Sequence, residues 1–300
     1  MFLAGIVAQI GIVLTGGLVR LTSSGLGCPS WPRCSDDSLV PREATGYHQY
    51  VEFGNRMLTS VVGIVALACV IAAWRHRPRR RSLVLLASVQ LGGVAAQAVL
   101  GGITVLTGLH PATVAAHFLV SMTLVGFAVA LYERSGEGDG PPVPLVRREV
   151  RVLGYVLLAS LTAVLAVGTV VTGSGPHSGD SDEVARFGLD PRTVAWVHAD
   201  LVWLFMGLVV GMVLLLRATE APPRARHRAL VVLGVGLAQG AIGYFQYWTD
   251  LPIAAVALHM LGASLLLVSV VRLIYSLRTR PVADIEAGHS TTKPAEYQPR

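Results

Sequence analysis

Three of the nine histidines, His117, His198 and His259, lie inside long apolar segments, about five to seven residues from the end predicted to face outward. At about 1.5 Å per helical residue, the three imidazoles share a depth of roughly 10 Å. Polar groups at such depth are costly in a membrane and usually bind something. Facing helices of a bundle supply imidazoles to haem iron, so the pattern predicts haem ligation.

The two halves of the chain repeat, and they differ in one ligand. Gln97 precedes His117 by the same 20 residues that separate Gln239 from His259. In the C-terminal half His198 forms a natural pair with His259, whereas Asn55 occupies the corresponding place before His117. One unit therefore looks coordinatively saturated and the other open, as separate electron-transfer and reactive haem sites require. Zinc is less favoured, because the chain has no HExxH motif and no Cys/His cluster.

A polar stretch, Tyr47–Arg56, opens the second apolar segment. At helical spacing His48, Glu52 and Asn55 or Arg56 share one face. Each charge at membrane depth costs about 3 kcal/mol, so charged side chains there usually line a cavity or bind a partner. The stretch is therefore either the lining of a cavity or the interfacial start of a helix. Arg20, at the outer end of the first segment, is either an interfacial anchor or the partner of an anion such as a carboxylate.

Cys28 and Cys34 enclose a short loop with two prolines, on the side predicted to face outward. Two cysteines in an oxidising compartment favour a disulfide, whether structural or redox-active. Cys69 lies within an apolar segment and is expected to serve packing.

The composition predicts the elements that position these residues. The 300 residues are 53% hydrophobic and only 14% charged, which is typical of an all-α polytopic membrane protein. The first segment has no basic N-terminal region and no A-x-A site, so we expect a true span and not a signal peptide. Eight spans are predicted, at residues 2–20, 51–74, 82–106, 112–132, 151–172, 194–216, 229–248 and 253–275.

The basic residues give the orientation and the domains. Most of the 24 lysines and arginines follow the even-numbered spans, which predicts cytoplasmic termini in a cell membrane and gives no indication of nucleic-acid binding. We predict two pseudo-duplicated four-helix bundles, a linker and a disordered cytoplasmic tail. The N-terminal unit covers residues 1–134, the linker 135–150, the C-terminal unit 151–280 and the tail 281–300.

Seven stretches together resemble the heme A synthase family over nearly the whole chain. They are residues 16–22, the Cys-Pro-x-Trp-Pro-x-Cys loop at 28–34, residues 51–56, His117, residues 175–177, residues 198–200 and residues 252–259. The resemblance implies an eight-helix duplicated fold that oxidises the C8 methyl of haem O to the formyl of haem A, for cytochrome oxidase.

The resemblance also implies residue roles. His198 and His259 would ligate a haem b cofactor, His117 would ligate the substrate haem O, and Glu52 would be the catalytic carboxylate. As a separate hypothesis on the mechanism, we expect Arg20 or Arg56 to pair with the haem propionates. The sequence departs from the family at Asn55, where a histidine is common, and in the absence of a second cysteine pair at residues 178–191.

The asparagine leaves His48 as one alternative second ligand, although it lies about 10 Å nearer the outside. The expected partners are haem O and the lipid bilayer, with a haem O synthase, an electron-transfer protein and a second copy of the chain as further candidates. A di-haem b-type electron carrier is the alternative function. A transporter is disfavoured by the parallel repeats, and a haem O synthase by the absence of paired DxxxD motifs.

Overall fold

Eight long helices make up almost the whole structure. The computed structural model describes residues 1–35, 38–41, 46–177, 179–180 and 184–281. Each of its eight long helices is long and apolar enough to cross a membrane. They are α1 (Phe2–Leu21), α2 (Gly46–Arg75), α3 (Arg81–Leu106), α4 (Pro111–Ser135), α5 (Arg148–Ser174), α6 (Pro191–Ala218), α7 (Pro223–Trp248) and α8 (Ile253–Ser276). The eight predicted spans are confirmed, and the chain is an all-helical multi-pass membrane protein. The predicted tail, from residue 282 onward, lies outside the described residues.

Proline and a capping side chain begin two of the helices that carry histidines. Pro111 and Pro191 occupy first-turn positions, where a missing N–H costs nothing. Before α6, the Asp190 carboxylate accepts hydrogen bonds from the backbone N–H (2.9 Å) and hydroxyl (2.6 Å) of Thr193, which lower the pKa of Asp190. Before α4, the ring of His110 accepts from the backbone N–H of Ala112 at 3.3 Å.

The helices form two closed rings of four. In the first, α1 contacts α2, α2 contacts α3, α3 contacts α4 and α4 returns to α1; α5 to α8 repeat this order. Among the described residues, neither α2 and α4 nor α6 and α8 pack directly on each other, so the members of each pair are diagonal partners across their ring. The two rings meet through α1, α4, α5 and α8.

The two ends of the bundle differ in chemistry. One end, called here the disulfide face, carries the Cys28–Cys34 loop. The other, called the linker face, carries the connection from α4 to α5, where β1 (Val143–Pro144) pairs antiparallel with β2 (Arg278–Thr279). Backbone hydrogen bonds from Gly138 to Arg280 (2.9 Å) and from Leu145 to Leu277 (3.0 Å) extend this pairing. The predicted linker is therefore tied to the chain that follows α8.

A buried carboxylate joins the two rings at the linker face. Glu133 of α4 accepts hydrogen bonds from Arg224 (3.1 Å) and Arg228 (2.9 Å) of α7 and from Arg272 of α8 (2.8 Å). The Glu133 side chain is only 4% exposed, whereas those of Arg224 and Arg272 are 67% and 45% exposed. The sequence pattern sorted these arginines only by loop and did not predict a shared partner.

We predict that Glu133→Gln destabilises the folded protein. Loss of the carboxylate leaves three guanidinium groups close together without their counter-ion, and breaking a buried ion pair of this kind costs on the order of 3 kcal/mol. The thermal midpoint of the purified protein in detergent should fall clearly.

Glu149→Gln is the matched control, because Glu149 is exposed and forms no ion pair with the described residues. Equal midpoints for the two variants would show that the Glu133 cluster does not hold the rings together.

Candidate haem sites

In the C-terminal ring, His198 and His259 project from the diagonal partners α6 and α8. A β-carbon at Gly168 of α5 would lie 3.2 Å from Cε1 of His198, and one at Gly243 of α7 would lie 3.3 Å from Cε1 of His259. Each imidazole is thus seated on a glycine of the preceding helix.

Both imidazoles have one nitrogen covered and one edge open. Nδ1 of His198 and of His259 is buried within the bundle. The His198 and His259 side chains as a whole are only half-buried. Because Cε1 lies against glycine and Nδ1 is covered, the open edge is the one that carries Nε2, which can ligate iron.

The N-terminal ring contains one such contact between an imidazole and a glycine, at His117 of α4. A β-carbon at Gly101 of α3 would lie 3.3 Å from Cε1 of His117, and Nδ1 is again buried. Gln97 donates to the backbone carbonyl of His117 at 2.8 Å, and Gln239 donates to that of His259 at 2.7 Å. The repeated spacing of Gln and His therefore corresponds to the same hydrogen bond in both rings.

A buried pair of glutamines crosses the N-terminal ring below His117. Gln9 of α1 donates to Gln90 of α3 at 3.0 Å, and Gln90 donates to the carbonyl of Leu124 on α4 at 2.6 Å. Gln90 lies seven residues, about 10 Å, from Gln97 along α3. The pair closes the ring on the side toward the linker face.

Asn55 of α2 stands diagonally opposite His117. Its Oδ1 accepts a hydrogen bond of 2.8 Å from the hydroxyl of Thr15 on α1. A β-carbon at Gly16 would lie 3.8 Å from Asn55 Nδ2. The side chain therefore packs on a glycine of α1, as His198 packs on a glycine of α5.

Glu52 and Arg56 clamp the disulfide loop onto α2. The Glu52 carboxylate, which is buried, accepts from the backbone N–H of Cys28 at 2.6 Å and from Arg56 at 2.6 and 3.1 Å. Arg56 also donates to the carbonyls of Cys28 (2.9 Å), Ser30 (3.1 Å) and Arg33 (3.0 Å). The two side chains predicted to line a site thus also fold the loop above it.

The predicted disulfide between Cys28 and Cys34 is confirmed, and both residues are fully buried. The loop that it closes places Trp31 on α3, where a β-carbon at Gly102 would overlap the indole. Gly102 is adjacent to Gly101, which holds the ring of His117. The loop therefore reaches from Glu52 on α2 to the helix that supports His117. Cys69, expected to serve packing, is a buried free thiol.

His48 and Arg20 are engaged by the loops of the disulfide face. Nδ1 of His48 lies 2.9 Å from the hydroxyl of Ser24. Arg20 donates to the carbonyls of His177 (2.8 Å) and Thr172 (3.1 Å) at the end of α5. Arg20 consequently ties the two rings together, and in this structure its donors serve backbone carbonyls.

Two contacts of the site could not be predicted from the sequence. Trp31 belongs to the Cys-Pro-x-Trp-Pro-x-Cys loop and Thr15 directly precedes residues 16–22, but neither stretch indicates that Thr15 contacts Asn55 or that Trp31 contacts Gly102. Both partners lie on other helices, so the contact exists only after the ring has closed.

The donor set fits haem. Imidazoles with Nδ1 buried, glycines that leave room for them, and diagonal helices that do not pack on each other suit a planar group held by side chains from two helices. Among the described residues, no three His, Cys, Asp or Glu side chains gather as they would around a single metal ion.

Comparison with known proteins identifies the family. A family model described as cytochrome oxidase assembly protein, COX15-CtaA, matches residues 1–177. The chain belongs to this family. The match includes the whole N-terminal ring, with Glu52, Asn55, His117 and the disulfide loop, and it confirms the family resemblance noted in the sequence.

Similar proteins include two heme A synthases that align with part of this chain. That of Lysinibacillus sphaericus is 38% identical over 129 residues, 43% of this chain and 41% of the relative. That of Geobacillus kaustophilus is 35% identical over 115 residues, 38% and 35% of the two chains. These alignments thus span only about two fifths of the relatives or less. The heme A synthase of Bacillus cereus is 23% identical over 299 residues, 94% of this chain and 93% of the relative.

We predict that Glu52→Gln and Arg56→Gln both expose the disulfide. Each removes charge-assisted hydrogen bonds worth about 1.5–3 kcal/mol, so opening of the loop should become at least about tenfold more favourable. Reduction of Cys28–Cys34 by dithiothreitol, followed by thiol labelling and mass spectrometry, should accelerate accordingly.

Arg192→Gln serves as the control, because Arg192 lies at the start of α6 and stacks on Trp196 far along the chain from the loop. Reduction rates that stay at the control value in both clamp variants would contradict a clamp.

Proposed function

We propose that this protein is a heme A synthase, which oxidises the C8 methyl of haem O to a formyl group and so makes haem A for cytochrome oxidase. The observation that carries the proposal is the family match to residues 1–177, because this unit contains the open imidazole of His117 and the buried carboxylate of Glu52. The relatives named heme A synthase support it.

The C-terminal ring is proposed to hold haem b as a resident cofactor. His198 and His259 lie on diagonal partner helices of this ring and would hold the haem iron through Nε2. Gln239 holds the backbone of His259, and the glycine seats restrict ring rotation. A haem b held by both imidazoles would supply electron transfer.

The N-terminal ring is proposed to bind haem O as substrate, with His117 as its axial ligand. When bound, the substrate haem supplies the iron and the methyl carbon that is oxidised. Glu52 is the proposed catalytic carboxylate: in its ionised form it can accept a proton or stabilise positive charge that develops beside it. The Arg56 guanidinium forms an ion pair with the Glu52 carboxylate, with Nη2 2.6 Å from Oε1.

The disulfide loop is proposed to cover this site. The Glu52–Arg56 clamp holds the loop, and Trp31 lays its indole on α3 beside the glycine that seats His117. Exclusion of water by such a cover strengthens the electrostatic effect of Glu52.

Arg20 is the stronger proposed propionate partner of the two arginines. Arg56 is paired with Glu52, whereas Arg20 has no carboxylate partner among the described residues and donates only to carbonyls there. A propionate would offer Arg20 a charged acceptor in their place.

The remaining proposals concern the surroundings. We place the protein in the cell membrane with both termini cytoplasmic, because the arginines of the linker face follow the positive-inside rule. A haem O synthase is the proposed supplier of substrate, and an external protein the proposed electron partner. A second copy of the chain is a further proposed partner, which could pack against the apolar outer surface.

We predict that Glu52→Gln and His117→Ala abolish haem A formation in a cell that lacks its own enzyme, so that haem O accumulates. Arg56→Gln is the informative comparison, because it loosens the same loop but retains the Glu52 carboxylate. It should keep a measurable fraction of haem A. Chromatography of extracted haems provides the readout.

Normal haem A in both the Glu52 and His117 variants would reject the assignment. Equal loss in Glu52→Gln and Arg56→Gln would assign Glu52 to loop folding instead of to the reaction. If the purified protein yields B-type haem alone, the result would favour a di-haem electron carrier.

A further inference from the structure

We propose that the N-terminal ring holds its haem iron through His117 alone, and that the Asn55 amide forms a binding position for a small diatomic ligand on the opposite side of the iron. The inference rests on the proposed haem site of this ring and deepens it. Its ligand class comprises carbon monoxide, dioxygen and similar molecules that bind ferrous iron end-on.

Asn55 occupies the structural place of His198. It precedes His117 by 62 residues, as His198 precedes His259 by 61. Both side chains project from the second helix of their ring, diagonally opposite the other histidine, and both pack on a glycine of the first helix. The second-ligand position of the N-terminal ring therefore falls to an asparagine.

An asparagine in this place does not substitute for imidazole. Its side chain ends at the amide, whereas histidine extends further to Nε2, so Asn55 stops short of where an imidazole nitrogen would reach. The amide NH₂ is also a hydrogen-bond donor without a lone pair for iron. The Asn55 oxygen, which could accept, already receives the hydroxyl hydrogen of Thr15.

The other outer histidines lie nearer the disulfide face than Asn55. His48 precedes Asn55 by seven residues, about 10 Å along α2. Its Nδ1 is bonded to Ser24, and its backbone lies against Gly27, where a β-carbon would be 2.5 Å from the His48 carbonyl oxygen. His110 caps α4, and His177 lies 3.0 Å from the carbonyl of Leu251. In the part of the chain that the structure describes, no second imidazole faces His117 at the depth of Asn55.

The Asn55 amide has the chemistry to stabilise a ligand on iron. With Oδ1 held by Thr15, Nδ2 is the remaining polar end, and it has no hydrogen-bond partner among the described residues. Donors in a distal pocket decide whether haem iron binds and polarises a small ligand. Both ends of the amide lie beside α1, and the hydroxyl of Thr15 engages Oδ1, which leaves Nδ2 as the donor available to a ligand.

The test is carbon monoxide binding to the full-length protein, loaded with protohaem at both sites and reduced with dithionite. The wild type should show a carbon monoxide difference spectrum for one haem per chain. His117→Ala should lose that haem. Asn55→His should retain the haem, turn it six-coordinate and low-spin, and lose carbon monoxide binding.

The hydrogen bond has its own readouts. Asn55→Ala should still bind carbon monoxide, with the C–O stretch shifted to higher wavenumber and dissociation about tenfold faster, as expected for one lost hydrogen bond. Thr15→Val should shift both quantities in the same direction by less. An unchanged stretch in Asn55→Ala would overturn the assigned role of the amide.

Failure of the inference differs from failure of the proposed function. If the haem that depends on His117 is present but does not bind carbon monoxide, the sixth position is taken and the inference is wrong, while the substrate site stands. Carbon monoxide binding that appears only in His48→Ala would identify His48 as that ligand and would likewise overturn it. Unchanged haem content in His117→Ala would overturn both.

Discussion

An imidazole seated on a glycine of the preceding helix is the contact on which both proposed sites depend. His117 rests on Gly101, His198 on Gly168 and His259 on Gly243. Because glycine has no β-carbon, each imidazole can lie against the preceding helix without pushing that helix away. A valine at any of these glycines would occupy the volume of the ring, and the diagonal helix would lose its ligand. This contact between a glycine and an imidazole sets the spacing between diagonal helices. That spacing leaves room for a planar group.

The same arrangement of four helices supports two unlike proposed sites, because the rings share a glutamine and glycine contacts but differ at the diagonal position opposite the last histidine. Both rings contain the glutamine that bonds the carbonyl of the last histidine. The C-terminal ring adds a second imidazole, whereas the N-terminal ring has Asn55, Thr15 and a loop clamped by Glu52 and Arg56. The rings thus differ at one diagonal position and in the disulfide loop, and these differences distinguish the proposed saturated site from the proposed open one.

Much of this could be predicted from the sequence, because the signals are local. Apolar length gave all eight spans, and the Gln–His spacing gave the register of the repeat. Cys28 and Cys34, six residues apart, gave the disulfide. Contacts between distant residues could not be predicted. The pairing of Glu133 with Arg228, of Ser24 with His48, and of two-residue strands at the linker face depends on how the rings dock, and no periodic pattern records docking.

The central claim is that each ring holds a different haem. The most direct test is to purify the His117→Ala variant and the His198→Ala/His259→Ala double variant from cells that make haem O, and to identify the extracted haems by chromatography and mass spectrometry. The account predicts B-type haem alone in the first, and O- or A-type haem without B-type in the second. The same mixture of haems in both variants, or loss of B-type haem from His117→Ala alone, would contradict it.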